Sequence, residues 1–160
     1  MRGRLAGFQS RPNKHFMVED ISPNTPKKLR IILLEDEPLL AKLFEFCLQE
    51  WFQELELLKF NNGDEVWQQL SGTKPDLLIM DWSHPGLEGK IIMDRLAEMK
   101  AGFPILLTSD FFEEHVQSYV GHGLKVVFLP KPFGLKKFWK ALNQLVGPGD
   151  FPERAALLDE

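Results

Sequence analysis

Residues 31–38, IILLEDEP, and residues 75–81, PDLLIMD, each run an apolar stretch straight into acidic side chains, Glu35 and Asp36 in the first and Asp81 in the second. PILLTSD (104–110) and VVFLPKPF (126–133) repeat the pattern with Thr108 and Lys131 at the polar end. Unbroken apolar runs of this length mark strands buried on both faces, as in parallel sheets. In open α/β sheets ligands bind at the carboxyl ends of the strands, so the carboxylates, the hydroxyl and the lysine are expected to converge on one crevice. Clustered acids suit a hard divalent cation, which demands oxygen ligands, and a lysine beside them offers a phosphoryl group a point charge.

Outward from these runs the chain alternates strand and helix. Residues 29–34 predict the first strand; Pro38, tolerated in a first helical turn, opens a helix with Leu40, Leu43, Phe44, Cys47, Leu48 and Trp51 at helical spacing. A short strand over 54–60 leads through Asn61-Asn62-Gly63, which is turn chemistry, into a brief helix over 64–70. A strand over 77–80, a loop over 82–86 and a helix over 89–100 follow, then a strand over 104–107, a helix over 111–120, a strand over 125–129 and a last helix over 135–146. Gly121 and Gly123 stop the fourth helix, and Gly147-Pro148-Gly149 stops the last. Strict alternation implies an α/β fold, a doubly wound five-stranded parallel sheet with helices on both faces.

At 160 residues, 44% hydrophobic and 26% charged, the chain has material for one well-buried domain and not for two ordinary ones. The net charge of −4 conceals an asymmetry: residues 1–30 hold seven Lys/Arg against Glu19 and Asp20, a balance of +5 that leaves −9 for residues 31–160. An acidic main domain argues against nucleic acid as a partner, because phosphate contacts need a basic face. Residues 1–28 carry Pro12, Pro23 and Pro26 among polar residues without a period and read as a flexible basic leader; 148–160 read as a short tail, leaving 29–147 as the domain. The single cysteine, Cys47, excludes an internal disulfide and a cysteine-cluster metal site. No apolar stretch reaches the roughly 18 residues of a membrane span, and the start lacks the apolar centre of a signal peptide, so a cytoplasmic protein without membrane contact is expected.

In order and spacing, ILLEDEP, DLLIMDWSHPGLEG, PILLTSD and FLPKPF resemble the four motifs of the receiver domain of two-component response regulators, over about residues 29–147. The resemblance implies a flavodoxin-like (βα)5 fold with Asp81 as the phosphoacceptor. It also implies that Glu35, Asp36, Asp81 and the backbone carbonyl of Ser83 hold Mg²⁺, and that Thr108 and Lys131 bind phosphoryl oxygens. Phe128 stands where receivers carry a switch aromatic that turns with the threonine; a plain buried strand residue is the equal alternative. A cis bond before Pro132 is suggested in the same way, although only ~5% of X-Pro bonds are cis and the residues alone leave both isomers open.

The chemistry of the residues agrees with those roles. Like charges at Glu35, Asp36 and Asp81 repel unless a cation sits among them. Once charge is neutralised, an ionised Asp81 oxygen can attack phosphorus in line, and the Thr108 hydroxyl can link the modified state to the loop after the fourth strand. Ser83 and Asp110 flank the phosphoryl site and are expected to tune rates, while Ser109 and His84 depart from the residues common at their positions. His84 reads as a partly exposed loop histidine, and His15, His115 and His122 form no ligand set.

The partners implied are a sensor histidine kinase or histidine phosphotransfer protein as donor, and a downstream protein bound by the face of the fourth helix, fifth strand and last helix. With nothing left over for an output module, the expectation is a single-domain response regulator, not an enzyme in the usual sense, that catalyses its own phosphoryl transfer and autodephosphorylation. Two alternatives stand beside it. One is a receiver-like interaction module acting without phosphorylation. The other is a Mg²⁺-dependent aspartyl-phosphate phosphohydrolase of the haloacid dehalogenase type, whose second Asp would fall where Ser83 stands. A homodimer through the last helix stays open. On that helix Phe138, Leu142 and Leu145 fit a core stripe, Lys136, Lys137 and Lys140 are expected in solvent, and Trp139 is expected to be partly exposed.

Overall fold

A computed structural model describes residues 28–110, 118–119 and 123–146. Five strands, β1 (Leu29–Leu34), β2 (Leu55–Phe60), β3 (Leu77–Asp81), β4 (Ile105–Ser109) and β5 (Val126–Pro130), form one sheet in the order β2-β1-β3-β4-β5. Every pairing is parallel. The helices are α1 (Pro38–Trp51), α2 (Gly63–Gly72), α3 (Gly89–Glu98) and a last helix, Leu135–Leu145. Ser118 and Tyr119 are helical; the rest of the helix expected over 111–120 lies outside the described residues, as do residues 1–27 and 147–160. No described helix is long and apolar enough to cross a membrane.

Alternation along each strand splits the apolar side chains between two cores. Ile31 and Leu33 face α1 and the last helix, packing with Phe44, Leu48, Phe138 and Leu142. Ile32 and Leu34 face the other way, with Val66 of α2 and Ile92 and Leu96 of α3. All residues of β3 and β4 are buried, as the unbroken apolar runs require. The doubly wound parallel sheet is therefore present as expected, and the Lys131–Pro132 bond is cis.

Several expectations need correction. Trp139 is buried, not partly exposed: the residue is 5% exposed and its ring meets that of Trp51 edge-on with centroids 5.3 Å apart. The apolar face of the last helix is broader than the stripe, taking in Ala141 as well, and its Phe138 meets both Phe44 and Trp51 of α1. Leu43, at core spacing on α1, is instead exposed with Leu39 and Phe46, one turn apart along the outer side of that helix. The third and fourth strands also run further than their apolar residues, to Asp81 and Ser109. The ladder carries them on, since Asp81 pairs with Thr108 and Ser109 with Pro130.

Candidate functional site

The strand order places the carboxyl end of β3 between those of β1 and β4, with β5 beside β4. Glu35 follows β1, Asp81 ends β3, Thr108 sits opposite Asp81 on β4, and Lys131 follows β5, its N–H donating to the Ser109 carbonyl at 2.8 Å. Lys131 Nζ lies 3.1 Å from Glu35 Oε2 and 3.1 Å from Asp81 Oδ2, with side chains 10%, 1% and 5% exposed respectively. The other oxygen of Glu35 accepts from the Glu37 N–H at 3.1 Å, and Asp81 Oδ1 accepts from the Ser83 N–H at 3.3 Å. Asp36 is exposed at the mouth of the site.

One carboxylate oxygen from each of Glu35, Asp36 and Asp81 lies within 4.8 Å of the others. An all-oxygen set of this kind fits a hard divalent cation such as Mg²⁺ and not a soft metal. Burial raises the pKa of Glu35, and the contact with Lys131 only partly offsets it. Burial alone would lower Lys131, but the two carboxylates outweigh it and push its pKa up, so the amine stays charged. The Thr108 hydroxyl is fully buried and donates to the Met80 carbonyl at 3.5 Å, the outer limit of such a bond.

The structure thus brings Glu35, Asp36, Asp81 and Lys131 together, sets Ser83 beside Asp81 through the backbone, and holds Thr108 one strand away. Phe128 is half-buried on β5, opposite Leu107 and packed against the second core, a placement that serves either reading of it. His84 is half-buried in the loop after Asp81, as expected; its Nδ1 lies 3.1 Å from the Pro85 carbonyl and its Nε2 is buried with no hydrogen-bond partner.

Two neighbours of the site carried no signal in the sequence. Tyr119 packs on Trp82, centroids 6.4 Å apart, and its hydroxyl donates to Asp94 of α3 at 2.5 Å. Lys90 and then this hydroxyl lower the Asp94 pKa, while burial and the same bond raise that of Tyr119. Gly63, at the start of α2, donates its N–H to the Pro85 carbonyl at 2.8 Å. An NNGD turn announces a bend, and nothing in it names a loop 22 residues away.

A family model for the response regulator receiver domain matches residues 31–143. The sensory transduction protein LytT of Bacillus subtilis is 26% identical over 116 residues, covering 72% of this chain and 47% of that protein. The chain spans about half, or less, of the length of the curated relatives it matches. The non-phosphorylated receiver domain of HemR from Leptospira biflexa superposes with a TM-score of 0.65 at 21% identity, over 75% of this chain and 95% of that one. The response regulator TrrA of Thermotoga maritima, solved in complex with Mg²⁺ and BeF, gives a TM-score of 0.60 at 23% identity, over 74% of this chain and 99% of that one.

Proposed function

Because the chain belongs to the response regulator receiver domain family, we propose that Asp81 accepts a phosphoryl group from a histidine kinase or histidine phosphotransfer protein, in a Mg²⁺-dependent transfer catalysed by the receiver's own residues. One observation carries the reading: Lys131 Nζ stands 3.1 Å from both Glu35 and Asp81, with the exposed Asp36 completing a three-carboxylate cluster. A closed structural ion pair would not need the third acid at a solvent mouth.

Glu35, Asp36, Asp81 and the Ser83 carbonyl would hold Mg²⁺, which supplies positive charge where phosphoryl oxygens approach an anionic carboxylate. An Asp81 oxygen forms the new bond to phosphorus while the bond from phosphorus to the donor's histidine nitrogen breaks, its electron pair going to that nitrogen. Lys131, kept charged by its two carboxylates, neutralises the arriving phosphoryl oxygens. Thr108 holds only a 3.5 Å bond to the Met80 carbonyl, so its hydroxyl can turn to a phosphoryl oxygen at little cost. Phe128, opposite Leu107 and therefore one residue from Thr108 on the neighbouring strand, would follow that movement. The change would leave through the face that β5 shares with the last helix, to a downstream protein. The receiver unit in this reading is residues 29–147.

The test is incubation of the chain with Mg²⁺ and acetyl phosphate or phosphoramidate. A hydroxylamine-labile adduct of one phosphoryl mass, absent in Asp81→Asn, is expected. No adduct from any donor would instead favour an interaction module, and steady turnover of assorted phosphomonoesters would favour a phosphohydrolase.

A further inference from the structure

We propose that Gly63 is a positioning residue for the metal site: its missing side chain lets the first turn of α2 close on residues 84–87, and so holds still the loop that carries the Ser83 carbonyl. The proposal rests on the reading of Asp81 and Ser83 as metal ligands. Gly63 is buried and bonded to the Pro85 carbonyl at 2.8 Å. A Cβ there would stand 2.1 Å from the Leu87 carbonyl oxygen and 2.7 Å from His84 Cε1. The first of these is backbone, so no rotamer change relieves it; the loop itself has to move.

The loop meets the same helix end a second time. Gly86 has φ +82°, and a Cβ on it would lie 2.3 Å from Asn62 Oδ1 and 2.7 Å from Asp64 Oδ2. Asn62 Oδ1 is meanwhile committed as the cap of α2, accepting from the Asp64 N–H at 2.9 Å. On the opposite flank, Gly89 opens α3 against the Trp82 backbone, where a Cβ would fall 2.6 Å from the carbonyl oxygen. Residues 82–88 are therefore gripped between the first turns of two helices, each at a glycine.

A substitution at Gly63 separates this role from plain stability. Gly63 does not need a positive φ, and by helix propensity alanine would favour α2. The grip makes the opposite demand, because a displaced loop misplaces a metal ligand. Groups that orient metal ligands without touching the metal typically change affinity about 10- to 100-fold when altered.

Mg²⁺ binding measured by calorimetry, with thermal unfolding in EDTA as a separate readout, tests the proposal. Gly63→Ala is expected to lose Mg²⁺ affinity about 10-fold or more while remaining folded. Gly72→Ala, at the far end of α2 with nothing within 4 Å of its Cβ, is expected to bind as the wild type does. Wild-type affinity in Gly63→Ala would overturn the proposal alone; a wild-type chain that takes up no Mg²⁺ would overturn the metal reading beneath it. Should Gly63→Ala fail to fold, Asn62→Gly withdraws the side chain resting on Gly86 and keeps a residue tolerated at helix caps, and unchanged Mg²⁺ affinity in that variant would overturn the proposal equally.

Discussion

Replacing Lys131 by Met keeps most of the side-chain volume and removes a cation held between two buried carboxylates. At an effective dielectric of about 20, each 3.1 Å contact is worth about 5 kcal/mol before desolvation, while the Glu35–Asp81 repulsion, about 3 kcal/mol or more across at most 4.8 Å, stays in the variant with no cation to offset it. Desolvating the amine offsets much of the attraction, and breaking a buried pair costs about 3–5 kcal/mol net. Lys131→Met is therefore expected to lose about 3 kcal/mol or more at neutral pH in EDTA. The sign with pH follows from Glu35. Its folded pKa already lies above the ordinary 4.5 through burial, and Lys131 is what pulls it down, so the variant raises it further. A carboxyl raised in the folded state favours folding below its unfolded pKa, and that advantage is lost as pH rises through the folded one. The variant's deficit should thus be full at neutral pH and shrink as pH falls toward 4.5. Mg²⁺ should restore part of it by supplying the missing charge. Urea unfolding followed by tryptophan fluorescence, at neutral pH and at about pH 5, measures both effects. A variant within about 0.5 kcal/mol of wild type at neutral pH, with an unchanged pH slope, would refute the reasoning.

Other perturbations separate site from scaffold. Trp139→Ala should cost about 3–5 kcal/mol in urea unfolding, as for a core aromatic, whereas a loss below about 1 kcal/mol would mean the Trp51 contact is not made. Asp36→Asn, exposed at the mouth, should leave stability in EDTA within about 0.5 kcal/mol of wild type while weakening Mg²⁺ binding about 10-fold or more by calorimetry. Mg²⁺ at about 100 times its dissociation constant should raise wild-type stability by about 2.7 kcal/mol, read as a rise in Tm, and a flat response would remove the metal from the site.

The strands were legible because burial on both faces leaves an uninterrupted apolar run, and the convergence of the candidate site's residues because each run ends in a group with distinct chemistry. The strand predicted over 104–107 stops short of Thr108, since a polar side chain breaks the apolar pattern while the backbone ladder continues through it. The environment of Trp139 depends on which side chains α1 presents to it, chiefly Trp51, and a single helix's periodicity gives a face without its partner. Leu43 failed in the opposite sense: helical spacing alone cannot tell a core stripe from the apolar outer side that α1 also carries at Leu39 and Phe46. The grip of Gly63 on Pro85 and of Tyr119 on Asp94 joins residues 22 and 25 positions apart, and short-range pattern holds no record of such pairs.

Asp81, and no other carboxylate of the cluster, is proposed to carry the phosphoryl group. The most direct test is to phosphorylate the chain with acetyl phosphate and Mg²⁺, reduce it with borohydride, which turns an aspartyl phosphate into homoserine, and locate that residue by peptide mass spectrometry. Homoserine at position 81 alone, dependent on Mg²⁺, is the predicted result; homoserine at position 36 or 110, or at none, would contradict it.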